Sequence, residues 1–248
     1  YQTVVADVIV NESGTGSGGG SSGGGSSGDS SSDDDSKKED PKKEELKEPT
    51  KPSIGTWSNP FSDVSSNDWF FDSVRYVCEN NIFKGMTDTS FEPHAKLTRG
   101  MLVTVLYRLE DSSDMNGISG NPFTDVAAES WYGDAVYWAS MNGIIKGYSK
   151  EIFAPNDQIT REQFAAIMER YATYEGNKVS KSVDMSQFTD RREISDWATA
   201  SLSWAVGSGL ISGKGNGILD PKGSATRAEA AAILQRYIEN ISKNSTVQ

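Results

Sequence analysis

Thr226-Arg227-Ala228-Glu229, near the end of the chain, has two counterparts, Thr160-Arg161-Glu162-Gln163 and Thr98-Arg99-Gly100-Met101. Each stands five residues after a proline, Pro93, Pro155 or Pro221. Each also opens an apolar run at helical spacing: Met101, Leu102, Val105, Leu106 and Leu109; Phe164, Ile167, Met168 and Tyr171; Ile233, Leu234 and Tyr237. The tetrads therefore predict three helix starts. Thr160 with Gln163, and Thr226 with Glu229, spell a capping box, in which the Thr hydroxyl accepts from the N3 amide and the N3 side chain accepts from the cap amide. Thr98 can cap as well, but Met101 cannot complete the box. The fourth tetrad position is read as a cap and not as a ligand contact.

The arginine is harder to assign to local structure. A cation at a helix N-terminus opposes the macrodipole by about 0.3–1 kcal/mol where exposed, yet it stands there three times. Open N-terminal amides, the positive dipole end and a guanidinium together suit a carboxylate or a phosphate. The competing assignment pairs each arginine with a neighbouring carboxylate. If the arginine faces a ligand, its removal should leave the melting temperature nearly unchanged or slightly raised.

Working outward, the whole chain from Pro60 repeats. The first unit carries Phe61-Ser62-Asp63, Trp69, Gly85 and Phe91-Glu92-Pro93; the second Phe123-Thr124-Asp125, Trp131, Gly147 and Phe153-Ala154-Pro155; the third Phe188-Thr189-Asp190, Trp197, Gly213 and Leu219-Asp220-Pro221. Sixteen residues separate the tryptophan from the glycine and six separate the glycine from the next hydrophobe in every unit. Asp68, Ser130 and Asp196, just before each tryptophan, predict the N-cap of a first helix of about 13 residues ending near Asn80, Asn142 and Gly209. Gly85, Gly147 and Gly213 predict turns that a side chain would hinder. Each unit is thus helix, loop, helix, with boundaries at 60–119, 120–184 and 185–242, and the fold class is all-α.

Ahead of the repeats the composition changes. Residues 1–10 are rich in β-branched residues and predict the last strand of an upstream domain. Residues 11–59 run from Gly and Ser to Lys, Glu and Pro and predict a disordered linker, while residues 243–248 form a tail. With Tyr1 in place of a methionine and no secretory signal, the sequence is expected to be the C-terminal portion of something longer. The net charge of −11 is shared between the two parts, −5 over residues 1–59 and −6 over the rest. No basic face suited to nucleic acid is evident, no apolar run is long enough to span a membrane, and no cofactor or metal motif is present. The single Cys78 occupies a place held by Ser140 and Val206 in the other units, which predicts a half-buried structural thiol.

Phe-Ser/Thr-Asp, the tryptophan, the glycine turn, the Phe-x-Pro loop and Thr-Arg-x-x recur in that order three times, and this pattern resembles the S-layer homology domain. The resemblance covers Pro60 to about Tyr237. It implies a pseudo-threefold bundle with ligand grooves between neighbouring repeats. It further implies a secreted bacterial surface protein held non-covalently on the cell wall by a secondary cell-wall polysaccharide, typically bearing pyruvylated N-acetylmannosamine. A pyruvate ketal carries a carboxylate, the anion that the arginines would grip. Carried over on the matching positions, the resemblance makes Arg99, Arg161 and Arg227 carboxylate grips and Trp69, Trp131 and Trp197 sugar platforms, the alternative for the tryptophans being helix-start aromatics of the core. Gly85, Gly147 and Gly213 become points where a bare backbone admits the sugar, with Lys84 and Lys146 beside the first two and Ser212 in place of the third lysine. Asp63, Asp125 and Asp190 match the family's acidic position and are read as structural, binding backbone. A protein-binding or self-assembling surface module is the competing reading. A glycan-hydrolysing enzyme is disfavoured, because an active site is rarely written three times at equal spacing.

Overall fold

The computed structural model describes residues 57–110 and 122–242. The strand expected at 1–10, most of the linker at 11–59 and the tail at 243–248 lie outside the described residues. Among the described residues there are six α-helices and no strand. Three short helices, α1 (Phe71–Glu79), α3 (Gly133–Met141) and α5 (Thr199–Gly207), alternate with three longer ones, α2 (Arg99–Leu109), α4 (Arg161–Tyr174) and α6 (Arg227–Asn240). The all-α class and the thrice-repeated helix-loop-helix are as the sequence predicts. The longer helices begin at the tetrads: Thr98, Thr160 and Thr226 are their N-caps, and Thr160 with Gln163 and Thr226 with Glu229 form full capping boxes.

The short helices depart from expectation. They are nine residues long, not 13, and have no side-chain cap, because Asp68, Ser130 and Asp196 lie outside their first turn. Asp68 instead accepts from the Ser65 amide at 2.7 Å, and the Ser130 hydroxyl donates to the Ala127 carbonyl at 2.6 Å. Each tryptophan sits in a lead-in turn, which in the third repeat is the 3₁₀ segment Asp196–Ala198. The helix proper starts where apolar contact begins, at buried Phe70, half-buried Tyr132 and buried Ala198. Burial rather than capping locates these ends.

The packing partners are not those adjacent in a repeat. α2 packs on α3, α4 on α5, and α6 on α1. Each pair joins the second helix of one repeat to the first helix of the next, and the last pair closes a ring. Three backbone bonds form its hub: Leu97 donates to Ala225 at 2.9 Å, Ala225 to Ile159 at 3.0 Å, and Ile159 to Leu97 at 2.9 Å. All three residues are fully buried, where an amide without a partner would be costly. This triangle is the pseudo-threefold axis.

Each loop is held by the aspartate of its own repeat. Asp63 accepts from the amides of Phe91 (2.9 Å) and Glu92 (2.7 Å), Asp125 from Phe153 (2.9 Å) and Ala154 (2.6 Å), and Asp190 from Leu219 (3.0 Å) and Asp220 (2.7 Å). The second residue of each pair precedes a proline and has a positive φ, between 56° and 58°, a left-handed conformation uncommon for a residue with a side chain. The carboxylate fork stabilises that turn. Partial burial would raise the Asp63 and Asp190 carboxyls, but the donated backbone amides outweigh it and hold both below the ordinary value. A Cβ on Gly85 would stand 2.3 Å from the Thr87 carbonyl and 2.5 Å from the Phe61 ring, and one on Gly147 2.4 Å from the Ile152 carbonyl. These glycines make room for the protein's own loop.

At the opposite end of the long helices, Tyr171 donates to Glu110 at 2.7 Å and Tyr237 donates to Glu175. Burial pushes Glu175 above the ordinary carboxylate range; hydrogen bonds from Tyr237 and Tyr171 oppose this and the charge of Glu110 adds to it. The fold therefore favours the protonated form, and this contribution to stability is lost as pH rises through the window above the unfolded value of about 4.3. Glu175→Gln should raise the melting temperature at pH 7, with the gain shrinking toward pH 4. Melts of both proteins across that range check the sign.

Ring closure gives a second expectation. Deleting residues 186–248 takes away the partner of α1 as well as the third repeat. The remaining two repeats should lose their cooperative thermal transition by circular dichroism, not keep two thirds of it.

Candidate functional site

The side chains singled out in the sequence converge where one repeat meets the next. Arg227 reaches from the third repeat into the loop of the first, donating through Nε to the Phe91 carbonyl and through Nη2 to the Lys84 carbonyl, both at 2.8 Å. Arg99 does the same to Phe153 and Lys146, both at 2.9 Å, and Arg161 to Leu219 at 2.9 Å and Ser212 at 2.6 Å. All three arginines are 4% exposed. The guanidinium of Arg99 lies over the rings of Phe153 and Tyr148 at 4.5 and 4.7 Å, and that of Arg227 over Phe91 and Phe83 at 4.6 and 5.2 Å. Burial lowers the pKa of all three, that of Arg227 to about 10, which leaves it charged at neutral pH.

This corrects the expectation of open helix ends. The Arg99, Arg161 and Arg227 amides donate to the carbonyls of Asp157, Gly223 and Ala95, each at 2.9 Å, and the following amides to Pro155, Pro221 and Pro93 at 2.8–3.0 Å. The third amide is taken by the threonine cap. No first-turn amide is left for an anion, and two of the three guanidinium nitrogens are committed to backbone. The arginine's cost against the helix dipole, about 0.3–1 kcal/mol, is smaller than the return from even one hydrogen bond to a charged donor, about 1.5–3 kcal/mol.

The third nitrogen, Nη1, remains to be placed. For Arg161 it donates to Glu229 Oε1 at 3.3 Å, and the residue lines a cavity of about 380 Å³ built from all three repeats. Trp69 comes from the first repeat; Ser212, Gly213 and Lys214 come from the loop of the third; Glu229 and Arg236 come from α6. The residues at the corresponding positions of the repeat are Trp131, Lys84, Met86, Met101 and Arg108 for the joint of Arg227, and Trp197, Lys146, Tyr148, Gln163 and Arg170 for that of Arg99. The tryptophans are not core residues, being 64% (Trp69), 45% (Trp131) and 56% (Trp197) exposed. Lys84 and Lys146 are exposed too, while their carbonyls hold the arginines. The groove on Arg161 therefore brings together an exposed indole, a buried fork whose Nη1 meets Glu229, and two further cations.

Sequence reasoning missed the second cation. Arg108, Arg170 and Arg236 each follow the tetrad arginine by nine residues, a recurrence that was there to be found. Lys214 also went unassigned, although it stands two residues after the serine that replaces a lysine. Cys78 is half-buried, and its thiol is pushed up to about 11 by burial, so it is unreactive at neutral pH. Among the described residues there is no cluster of metal ligands, and no helix is long and apolar enough to cross a membrane.

A module of three like units, closed into a ring with grooves at the joints, is what the fold and its sites define. The S-layer homology domain family matches residues 60–100, 122–165 and 187–231, and the chain belongs to that family. It is similar to an amylopullulanase of Thermoanaerobacterium thermosulfurigenes, 36% identical over 74% of this chain and 10% of the relative. It is also similar to an exoglucanase XynX of Acetivibrio thermocellus, 35% identical over 72% of this chain and 16% of the relative. A surface-layer 125 kDa protein of Lysinibacillus sphaericus is 31% identical over 74% of this chain and 15% of its own length. The chain thus spans a tenth to a sixth of these relatives. The shared region is a cell-surface anchoring module and is not itself catalytic.

The buried forks reverse the stability expected of the arginine variants. Arg227→Ala leaves the carbonyls of Phe91 and Lys84 without partners and should destabilise the fold by about 2–5 kcal/mol in urea melts. Lys should restore little, since one ammonium cannot span both carbonyls as the fork does.

Proposed function

We propose that this chain anchors a protein non-covalently to a bacterial cell wall by binding an anionic, pyruvylated secondary cell-wall polysaccharide in the grooves between repeats. The observation that carries the reading is the groove around Arg161. There an exposed indole, a buried guanidinium, the Lys214 ammonium and a second arginine line one cavity, although the protein as a whole is acidic. An aromatic face packs on the apolar side of a sugar ring, and a guanidinium edge suits a carboxylate. Recognition by such a set is local, because the overall field of a chain with charge −11 repels an anion. Membership of the S-layer homology family and similarity to a surface-layer protein support the same reading. So does similarity to polysaccharide-acting enzymes through so small a part of their length, since a shared anchor is separable from whatever it anchors.

The test is co-sedimentation with purified wall sacculi. Binding should be lost when the secondary polymer is stripped, and lost again when the pyruvate alone is removed chemically. Binding that survives depyruvylation would favour a protein partner or self-assembly. Because the tryptophans are exposed, their replacement separates binding from folding. Trp69→Ala, Trp131→Ala and Trp197→Ala should melt as the native protein does, and each should weaken its own groove by about threefold to tenfold, the equivalent of about 0.5–1.5 kcal/mol per aromatic contact.

A further inference from the structure

The joint between the second and third repeats is built differently from the other two. At every joint the residue after the tetrad arginine is buried and gives its amide to the proline carbonyl of the neighbouring repeat: Gly100 to Pro155 at 2.8 Å, Glu162 to Pro221 at 3.0 Å and Ala228 to Pro93 at 2.9 Å. What differs is its size and what it meets. A Cβ on Gly100 would stand 3.3 Å from the Tyr132 ring, so in that joint a ring fills the space into which a longer side chain would extend. Tyr132 follows its repeat's tryptophan, and its counterparts are Phe70, a buried ring, and Ala198, which is fully buried. The joint that has a long side chain on its long helix is thus the one that has a methyl group in place of a ring.

Glu162 uses that room. It is 3% exposed. Its Oε2 accepts from the Ser195 amide at 3.0 Å, and its Oε1 accepts from the Ser195 hydroxyl at 3.0 Å and from the Lys222 ammonium at 2.6 Å. Lys222 also reaches the Ser195 hydroxyl. Both partners belong to the third repeat. Where it has Ser195 the other repeats have Asn67 and Glu129, and where it has Lys222 they have His94 and Asn156. Against α3 the carboxylate would meet a ring, a second carboxylate and no lysine. Against α1 it would meet a ring and an Asn67 amide that already donates to Ser65 Oγ at 3.3 Å. Either pairing would bury a charge without compensation, which is strongly unfavourable. The converse holds for α5, where Gly100 or Ala228 in the place of Glu162 would leave a hole beside Ala198 and Lys222 without its carboxylate.

We propose that Glu162 sets the order of the repeats in the ring: it confines α4 to α5 and excludes joints of α4 with α1 or α3, whether of the same copy of the chain or of another. A ring of three similar joints invites such errors, because a long helix paired out of order leaves other faces bare to capture a second copy. The device works by penalising the wrong partner as well as by rewarding the right one. The connection between α4 and α5 then favours the α5 of the same chain, which it holds at high effective concentration.

The test is refolding of the whole chain from urea at rising protein concentration, with the products sized by chromatography and light scattering. The native chain should return as monomer throughout. Glu162→Ala gives α4 the side chain that α6 has at Ala228, one that fits beside a ring. It should refold with native helicity, but with a share of dimers and larger species about fivefold or more above the native share and rising with concentration. Glu162→Ala combined with Ala198→Phe rewrites the joint in the form of Ala228 and Phe70. This double variant should regain stability toward the native value in thermal melts while its oligomers persist. Ser201→Ala removes the hydroxyl that meets Glu169 in the same joint and leaves Glu162 untouched; it should melt lower and still return as monomer. The inference would be overturned by oligomers of the native chain or by a monomeric return of either Glu162 variant. Ser201→Ala oligomerising as much as Glu162→Ala would overturn it too, since lost stability and not lost choice of partner would then be the cause. So would failure of both Glu162 variants to fold, because the Ala228 form of the joint must be able to stand in this place.

Discussion

Everything in this module depends on a guanidinium buried at each joint between repeats. An isolated charge in that position would be prohibitively expensive, so the structure surrounds it with carbonyls, two per arginine, from a loop that belongs to the neighbouring repeat. Those carbonyls are in turn held in place by the loop's own aspartate clamp and by its left-handed residue before proline. Removing the arginine would leave the carbonyls without donors, and loosening the clamp would leave the arginine without carbonyls. The fold and the candidate site are therefore one network. Two of the three nitrogens of each guanidinium are thus structural.

Cyclic pairing explains why the repeat is so regular in spacing and so free in composition. Each loop must meet an arginine from one neighbour and each short helix must meet a long helix from the same neighbour, so the sixteen- and six-residue intervals are geometric requirements of the joint. Residues that point into the groove are under no such requirement. Met101, Gln163 and Glu229 are chemically unrelated side chains at one position, as are Met86, Tyr148 and Lys214 at another. Three copies of a single scaffold thereby become three different grooves.

Much of the fold was legible in the sequence, because helix starts are written in local chemistry. Thr98, Thr160 and Thr226 cap where the tetrads say, and the apolar spacing marks the buried faces. The short helices were misjudged for the opposite reason. Asp68 and Ser130 have cap-forming side chains but use them on their own turns, and only tertiary contact shows that burial sets the start. Pairing across repeats was likewise hidden, since nothing local distinguishes a helix that packs on its own partner from one that packs on the next. For the site, recurrence picked out the arginines and tryptophans but misread the arginines' main occupation, because acceptors 47 to 143 residues away in sequence cannot be seen from a tetrad. The dual use of Glu229 was hidden in the same way: one oxygen serves a local box, the other a partner 68 residues away.

The seam between α1 and α6 has a mechanical meaning for an anchor. The described chain enters just ahead of α1, at Trp57, whose ring packs edge-on against Phe71 at 5.8 Å. Tension drawn along the polypeptide from its N-terminal side is therefore delivered first to α1, which packs on α6, while the loop that follows α1 is held by Arg227. The load passes from the first described helix directly to the last, leaving the α2–α3 and α4–α5 joints in its lee. Under drag, the ring would part at this latch before the other two joints were strained, and the grooves nearest those joints would be the last to let go.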